Sequence, residues 1–400
     1  MQQHSDADCD SKITPETVMP KDGVTRRGFL QASAATAAWG AVAPIAWSAE
    51  QANVLETEVI TWQPELYSGW STLCQQKSGR LLLVWSGGRE AHVCPFGRVE
   101  WMTSDDGGAS WTWPRVLLDS AIDDRDAGVL ETTQGSLLVT TFTSLAYEPI
   151  LAKSDAWPSD RRARWEAAHH RLSAADRKAE LGTWMIRSTD NGLTWSTRYD
   201  CLVNSPHGPI QLADGRILYA GKELWRDNPR IGVAVSADDG ASWEWLAEIP
   251  TRDGDSSNNY HELHAVETTD GRIIVHIRNH NSQNSRETLQ CHSSDGGRTW
   301  SKPTAIGVWG LPSHLLRLRD GRLLMSYGHR RPPYGNQARI SDDGGRSWSQ
   351  PLMISTDGAG TDLGYPSTVE RPDGSLVTVW YEKLAGQSSA VLRQARWKLT

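Results

Sequence analysis

The chain has 400 residues, a net charge of −7 and a mean hydropathy of −0.50, with 38% hydrophobic and 22% charged residues. That composition excludes a bundle of membrane helices and supplies enough apolar side chain for a packed core; its acidic balance argues against nucleic acid, which wants a basic face. Tryptophan is over-used, with 20 residues against 3 Phe and 9 Tyr, so a repeated unit is placing it.

The N-terminus reads as a targeting label. Thr25-Arg26-Arg27-Gly28-Phe29-Leu30 precedes an Ala-rich apolar stretch from Ala32 to Ala46 and the small-residue run Ala46-Trp47-Ser48-Ala49. A charged start, an apolar middle and small residues at a cleavage point predict an export signal over residues 1–49, and the paired arginines resemble a twin-arginine signal. The apolar run falls short of the roughly 18 residues a membrane span needs. The expected product is periplasmic or extracellular, with no membrane attachment once the signal is removed. Cys74, Cys94, Cys201 and Cys291 lack CxxC spacing, so neither a thiolate zinc site nor a required disulfide framework is expected.

From residue 69 onward one pattern recurs: an apolar run, a Gly-centred turn, a second apolar run. The turn glycines are Gly79, Gly135, Gly215, Gly271, Gly321 and Gly374, spaced 50 to 56 residues apart except for an interval of 80 between Gly135 and Gly215. Each copy predicts a β-hairpin. The long interval holds an insertion at about 146–182, where Ser159 is expected to open a capped helix and Gly182 to follow a second helical stretch. A wall or lid over a substrate is its expected role.

A second pattern, S-x-D-x-G-x-[ST]-W, interleaves with the first: Ser104 to Trp111, Ser188 to Trp195, Ser236 to Trp243, Ser293 to Trp300 and Ser341 to Trp348. Asp followed by Gly suits a tight turn in which the carboxylate accepts backbone N–H groups, and the Trp folds back to cover it. Repeats of four short strands predict an all-β, six-bladed β-propeller over residues 50–400, with the strand near Val54 completing the last blade and closing the ring.

This topology sorts side chains onto two faces. Hairpin turns and S-x-D-x-G-x-[ST]-W loops share one face. The other collects the starts of the first strands and the loops after the second strands, and with them His92, His207, His264, His314, Glu262, Tyr365 and several arginines. Folding a propeller requires no such ring, so this face is the expected active site.

The S-x-D-x-G-x-[ST]-W repeat is the Asp-box of the sialidase (neuraminidase) superfamily, which the chain resembles over residues 54–400. The resemblance implies a retaining exo-glycosidase that removes sialic acid or a related anionic sugar from glycans, with no cofactor and no metal. Such enzymes use a tyrosine nucleophile activated by a glutamate, because an anionic nucleophile would be repelled by the substrate carboxylate. Tyr365, its hydroxyl exposed to the pore, matches the nucleophile; Glu262 matches the activating carboxylate, Arg278 the second arginine, and Arg330 or Arg331 the third.

Two departures mark a divergent branch. Ser68-Gly69-Trp70-Ser71 stands where the family has its first arginine, leaving Arg125 or Arg89 as replacements. The loop Gly88–Arg98 lacks the family's acid/base aspartate, leaving His92, Glu90 or Asp126. His207, His264 and His314 are expected substrate contacts, with a His-ligated metal as the alternative reading. Two other functions stay open at this point: a hydrolase or lyase on uronic-acid polysaccharide, and a glycan-binding propeller without catalysis.

Overall fold

Each Gly hairpin forms the inner pair of a four-stranded antiparallel sheet in the structure, a computed structural model that describes residues 50–400 apart from Trp62 and Pro64. The export signal expected over residues 1–49 lies outside the described residues. All six turn glycines take φ between 76° and 92°, and each donates its N–H to the carbonyl three residues back, so a side chain there would be strained.

Six such sheets succeed one another. Blade 1 runs from Tyr67 to Leu118, blade 2 from Asp123 to Asp200, blade 3 from Ile210 to Glu248, blade 4 from Tyr260 to Trp309 and blade 5 from Ser313 to Ser355. Blade 6 takes three strands from Leu363–Glu370, Leu376–Lys383 and Ala390–Leu399, and its fourth from the start of the described chain: Ala52–Thr61 pairs antiparallel with Ala390–Leu399. This pairing covers the edge of Ala390–Leu399 and ties the last blade to the segment that leads into the first.

Apolar side chains cluster between neighbouring blades rather than within them. Leu82, Val84, Val129 and Val139 join blades 1 and 2, Tyr219 and Cys201 blades 2 and 3, and Leu218 and Val275 blades 3 and 4. The same holds for Val266 and Met325, for Leu324 and Trp380, and for Tyr381 and Trp70, which close the circuit back to blade 1. Truncating one of these to Ala should cost about 2–5 kcal/mol, and the loss would fall on an interface between blades. The first strands pack against one another around the axis, so their starts converge on one opening.

The insertion contains three helices: α1 (Glu148–Leu151), α2 (Ser159–His169) and α3 (Ala174–Ala179). Ser159 is not the cap of α2, because Pro158 holds that position with no side-chain bond. Ser173 caps α3, its hydroxyl accepting the Asp176 N–H at 3.2 Å. Fully buried Trp165 fixes α2 against Tyr147, Cys94 and Phe96.

Candidate active site

Four first strands begin with the same local distortion. Trp70, Asp126, Glu262 and Tyr365 have φ of 54°, 49°, 37° and 54°, each at a break in strand register. Each stands nine residues ahead of its blade's hairpin glycine. A left-handed bulge residue costs about 1–3 kcal/mol when it carries a large side chain, and it persists only where surrounding packing enforces it. Here the bulge turns the side chain out of the sheet's alternation.

Three of the expected residues meet across the opening. Tyr365 Oη donates to Glu262 Oε1 in a short hydrogen bond, and Arg278 Nη1 donates to Glu262 Oε1 and Oε2 at 2.9 and 2.7 Å and to Tyr365 Oη at 3.0 Å. Tyr365 is only 3% exposed, so its hydroxyl is not the solvent-facing group expected from sequence; the inter-blade aromatic packing of Trp70 and Tyr381 encloses it. Burial, reinforced by the Glu262 charge, pushes the phenol well above its ordinary value, while Arg278 pulls it back. The resting site therefore keeps the proton on tyrosine, beside a carboxylate positioned to take it.

Asp126 faces the same centre. Burial pushes its carboxyl up to about 7, with Arg125 pulling it down and Glu262 pushing it further up. Trp70 fills the place of the missing arginine, with the guanidinium of Arg125 4.5 Å and that of Arg89 4.9 Å from its ring. Arg89 does not replace that arginine. It is fully buried and spent on Asp123, with Nη1–Oδ1 at 2.6 Å and Nη2–Oδ2 at 2.9 Å, and any β-carbon at Gly97 would collide with both partners. Arg125, 3.6 Å from Asp123, stays nearer the opening.

Glu90 is drawn to α2 instead. Its carboxylate accepts from Arg164 and from Trp165 Nε1, with Arg161 3.6 Å away, so it anchors α2 rather than serving as an acid/base. His92 lies on the site side of the same loop, its ring edge-on to Trp70 at 4.9 Å and its Nδ1 2.8 Å from Tyr67 Oη and 3.3 Å from Asp362 Oδ1. Arg330 Nε donates to the Leu363 carbonyl at 2.8 Å and the guanidinium lies 5.7 Å from the Tyr365 ring centre, whereas Arg331 stacks on Trp309 at 4.4 Å.

His207, His264 and His314, expected as substrate contacts, do come together and pack against one another. Their ring centres are 4.6 to 5.3 Å apart, all three are buried, and burial holds each well below the ordinary histidine value, His314 at about 3. His264 Nδ1 accepts the Leu315 N–H at 2.8 Å, so its Nε2 carries hydrogen and is not a metal donor. Among the described residues no group of three His, Cys, Asp or Glu is arranged to hold a metal ion.

Sequence reasoning missed Tyr67, Asp123 and Asp362. A signal for them existed: each stands three residues ahead of a bulge residue (Trp70, Asp126 and Tyr365).

The BNR repeat-like domain family matches residues 163–378. No curated protein matches the sequence. Among solved structures, a protein of unknown function from Dyadobacter fermentans is similar at 22% identity and a TM-score of 0.71, over 87% of this chain and 99% of that one. The Hadza microbial sialidase Hz136 is similar at 18% identity and a TM-score of 0.59, over 82% of this chain and 65% of that one. The intramolecular trans-sialidase from Ruminococcus gnavus, solved with oseltamivir carboxylate, is similar at 14% identity and a TM-score of 0.58, over 83% of this chain and 94% of that one. At these identities the likeness is one of fold.

Proposed function

The chain belongs to the BNR repeat-like domain family, and we propose that its opening is the active site of a sialidase-type retaining glycosidase acting on sialic acid or a related anionic sugar. One observation carries this reading: the Tyr365 hydroxyl hydrogen-bonded to both Glu262 and Arg278, from two blades that approach only through the closed ring. Tyr365 Oη attacks the anomeric carbon while its proton passes to Glu262. A neutral nucleophile suits a carbon flanked by a carboxylate, and Arg278, Arg330 and Arg125 supply cationic charge for that group. Asp126, its carboxyl raised to about 7, keeps a substantial protonated fraction at neutral pH and in that form can donate a hydrogen bond to a substrate hydroxyl.

A second reading, an enzyme acting on uronic-acid polysaccharide, draws on Trp70 in place of the first arginine. Product analysis on sialyllactose and on uronate oligosaccharides separates the two. Free sialic acid supports the first, and absorbance from a new C=C supports a lyase. A fluorinated sialosyl donor should leave a covalent adduct on Tyr365, found by peptide mass; an adduct elsewhere ends the assignment.

A further inference from the structure

Double displacement at an anomeric carbon needs a group that protonates the departing oxygen and then deprotonates the incoming water. That group has to meet the leaving glycan and bulk water. Asp126 is 8% exposed beside Glu262's charge, and Glu90 is committed to α2. The His92 side chain is 30% exposed and that of Asp362 33%.

Hydrogen bonding fixes the imidazole. Tyr67 Oη donates its single proton to Asp362 Oδ1 at 2.8 Å, so toward His92 the phenol oxygen can only accept, and the hydrogen in that 2.8 Å contact belongs to His92 Nδ1. Nδ1 also lies 3.3 Å from Asp362 Oδ1. The proton exchanged with substrate therefore sits on Nε2. Trp70 holds the ring edge-on, and Arg89 Nη2 donates to the His92 carbonyl at 3.1 Å, tying the loop to the buried Arg89–Asp123 pair. The titratable and charged groups around the imidazole include Tyr67 and Asp362 in direct contact, Arg89 at its backbone, and Arg330, which acts on Asp362.

We propose that His92 is the catalytic acid/base of this site and that Asp362, with Tyr67, is its positioning partner; this rests on the glycosidase reading above. As the Tyr365 oxygen bonds to the anomeric carbon and its proton moves to Glu262, the glycosidic C–O bond breaks and the departing oxygen takes the Nε2 proton of the His92 imidazolium. In the second half, neutral His92 takes a proton from water while that water's oxygen bonds to the anomeric carbon. The Tyr365 oxygen departs and recovers its proton from Glu262. Asp362 stays ionised throughout; although burial pushes it up, hydrogen bonding and charge from His92 hold its carboxyl below the usual range.

The test compares leaving groups. His92→Gln should lose about 10²–10⁴-fold in kcat/KM on sialyllactose, whose alcohol leaving group needs a proton. On 4-methylumbelliferyl sialoside, whose phenol leaves unaided, it should lose less than about tenfold and show a burst of one fluorophore per enzyme. Asp362→Asn should shift the alkaline limb of kcat/KM to lower pH, because the imidazolium loses its carboxylate, and Asp362→Glu should restore it. NMR titration of His92, which needs no substrate, should move the same way. Equal losses on both substrates, or a leaving-group dependence found in Asp126→Asn instead, overturn the assignment of His92 in an active enzyme. An unmoved His92 titration in Asp362→Asn removes Asp362 from its role. A wild type silent on both sialosides overturns the sialidase reading and, with it, the role of His92.

Discussion

On the face that carries the hairpins and Asp-boxes, five of the six blades solve the same local problem in the same way. Ser104 Oγ donates to Asp106 Oδ1 and accepts the Gly108 N–H, both at 2.8 Å, while Asp106 accepts the Ser110 N–H at 2.8 Å; the other four boxes repeat these bonds within their own loops. On the opposite face the blades diverge. Four carry strained bulge residues of different chemistry, and the bonds that matter cross between blades: Tyr365 to Glu262, Tyr67 to Asp362, Arg89 to Asp123. A repeat keeps its register through self-sufficient turns, and that leaves the other end of each blade open to a different use. Strain and cross-blade pairing concentrated at one end are what a site looks like before any substrate is known.

The sharpest way to break this contrast is Tyr365→Phe. Activity should fall by about 10³-fold or more, because the hydroxyl that touches both Glu262 and Arg278 is removed, while unfolding free energy changes by about 1 kcal/mol, since those two remain paired. Kinetics beside a denaturant melt check both halves, and near-full activity would erase the distinction between the faces.

Asp126→Asn tests the cost of the strained face. A carboxyl whose folded pKa is raised from 3.8 to about 7 contributes fully below the unfolded value and loses that contribution as pH rises through 7. The variant should therefore gain about 1–3 kcal/mol over wild type at pH 8 and almost nothing at pH 4, measured by urea melts at both.

Glu90→Ala removes the acceptor of the buried Trp165 indole. It should cost about 1–3 kcal/mol by leaving that N–H unpaired, and it should raise KM more than it lowers kcat if the helices wall the site. An unchanged KM would reduce the insertion to decoration.

Asp106→Ala, on the repetitive face, should leave activity within about twofold and cost on the order of 1 kcal/mol, because solvent screens this exposed carboxylate. Hydrogen bonds from Ser110 and Ser104 hold it down to about 2, so its contribution is present above the unfolded value of 3.8 and disappears as pH falls through 2. The difference between variant and wild type should vanish in melts at the acid end.

Much of the fold was legible because it is written in short range. A Gly at positive φ and a Ser-Asp-Gly-Trp loop satisfy their own hydrogen bonds, so their spacing alone placed six hairpins and five turns. Their places at the openings of the fourth and last repeats likewise made Glu262 and Tyr365 legible as residues at the opening. His207, His264 and His314 were expected on this face, but their packing against one another was not, because a sequence shows a residue's position in the blade and not whether neighbouring blades close over it.

The sequence by itself determined the repeat, the ring it closes and the face on which the candidate site residues gather, since turn chemistry and strand alternation act within a few residues. Only the tertiary structure decided how Arg89, Arg125, Glu90 and His92 divide their roles. Those roles depend on which carboxylate or ring lies within about 3–5 Å, and the partners come from elements far away in the chain: Asp123 and α2 for Arg89 and Glu90, Asp362 for His92. A guanidinium paired in a dry interface and one at the rim are the same letter in the sequence. Burial and the nearest opposite charge separate them, and both exist only once the ring has closed.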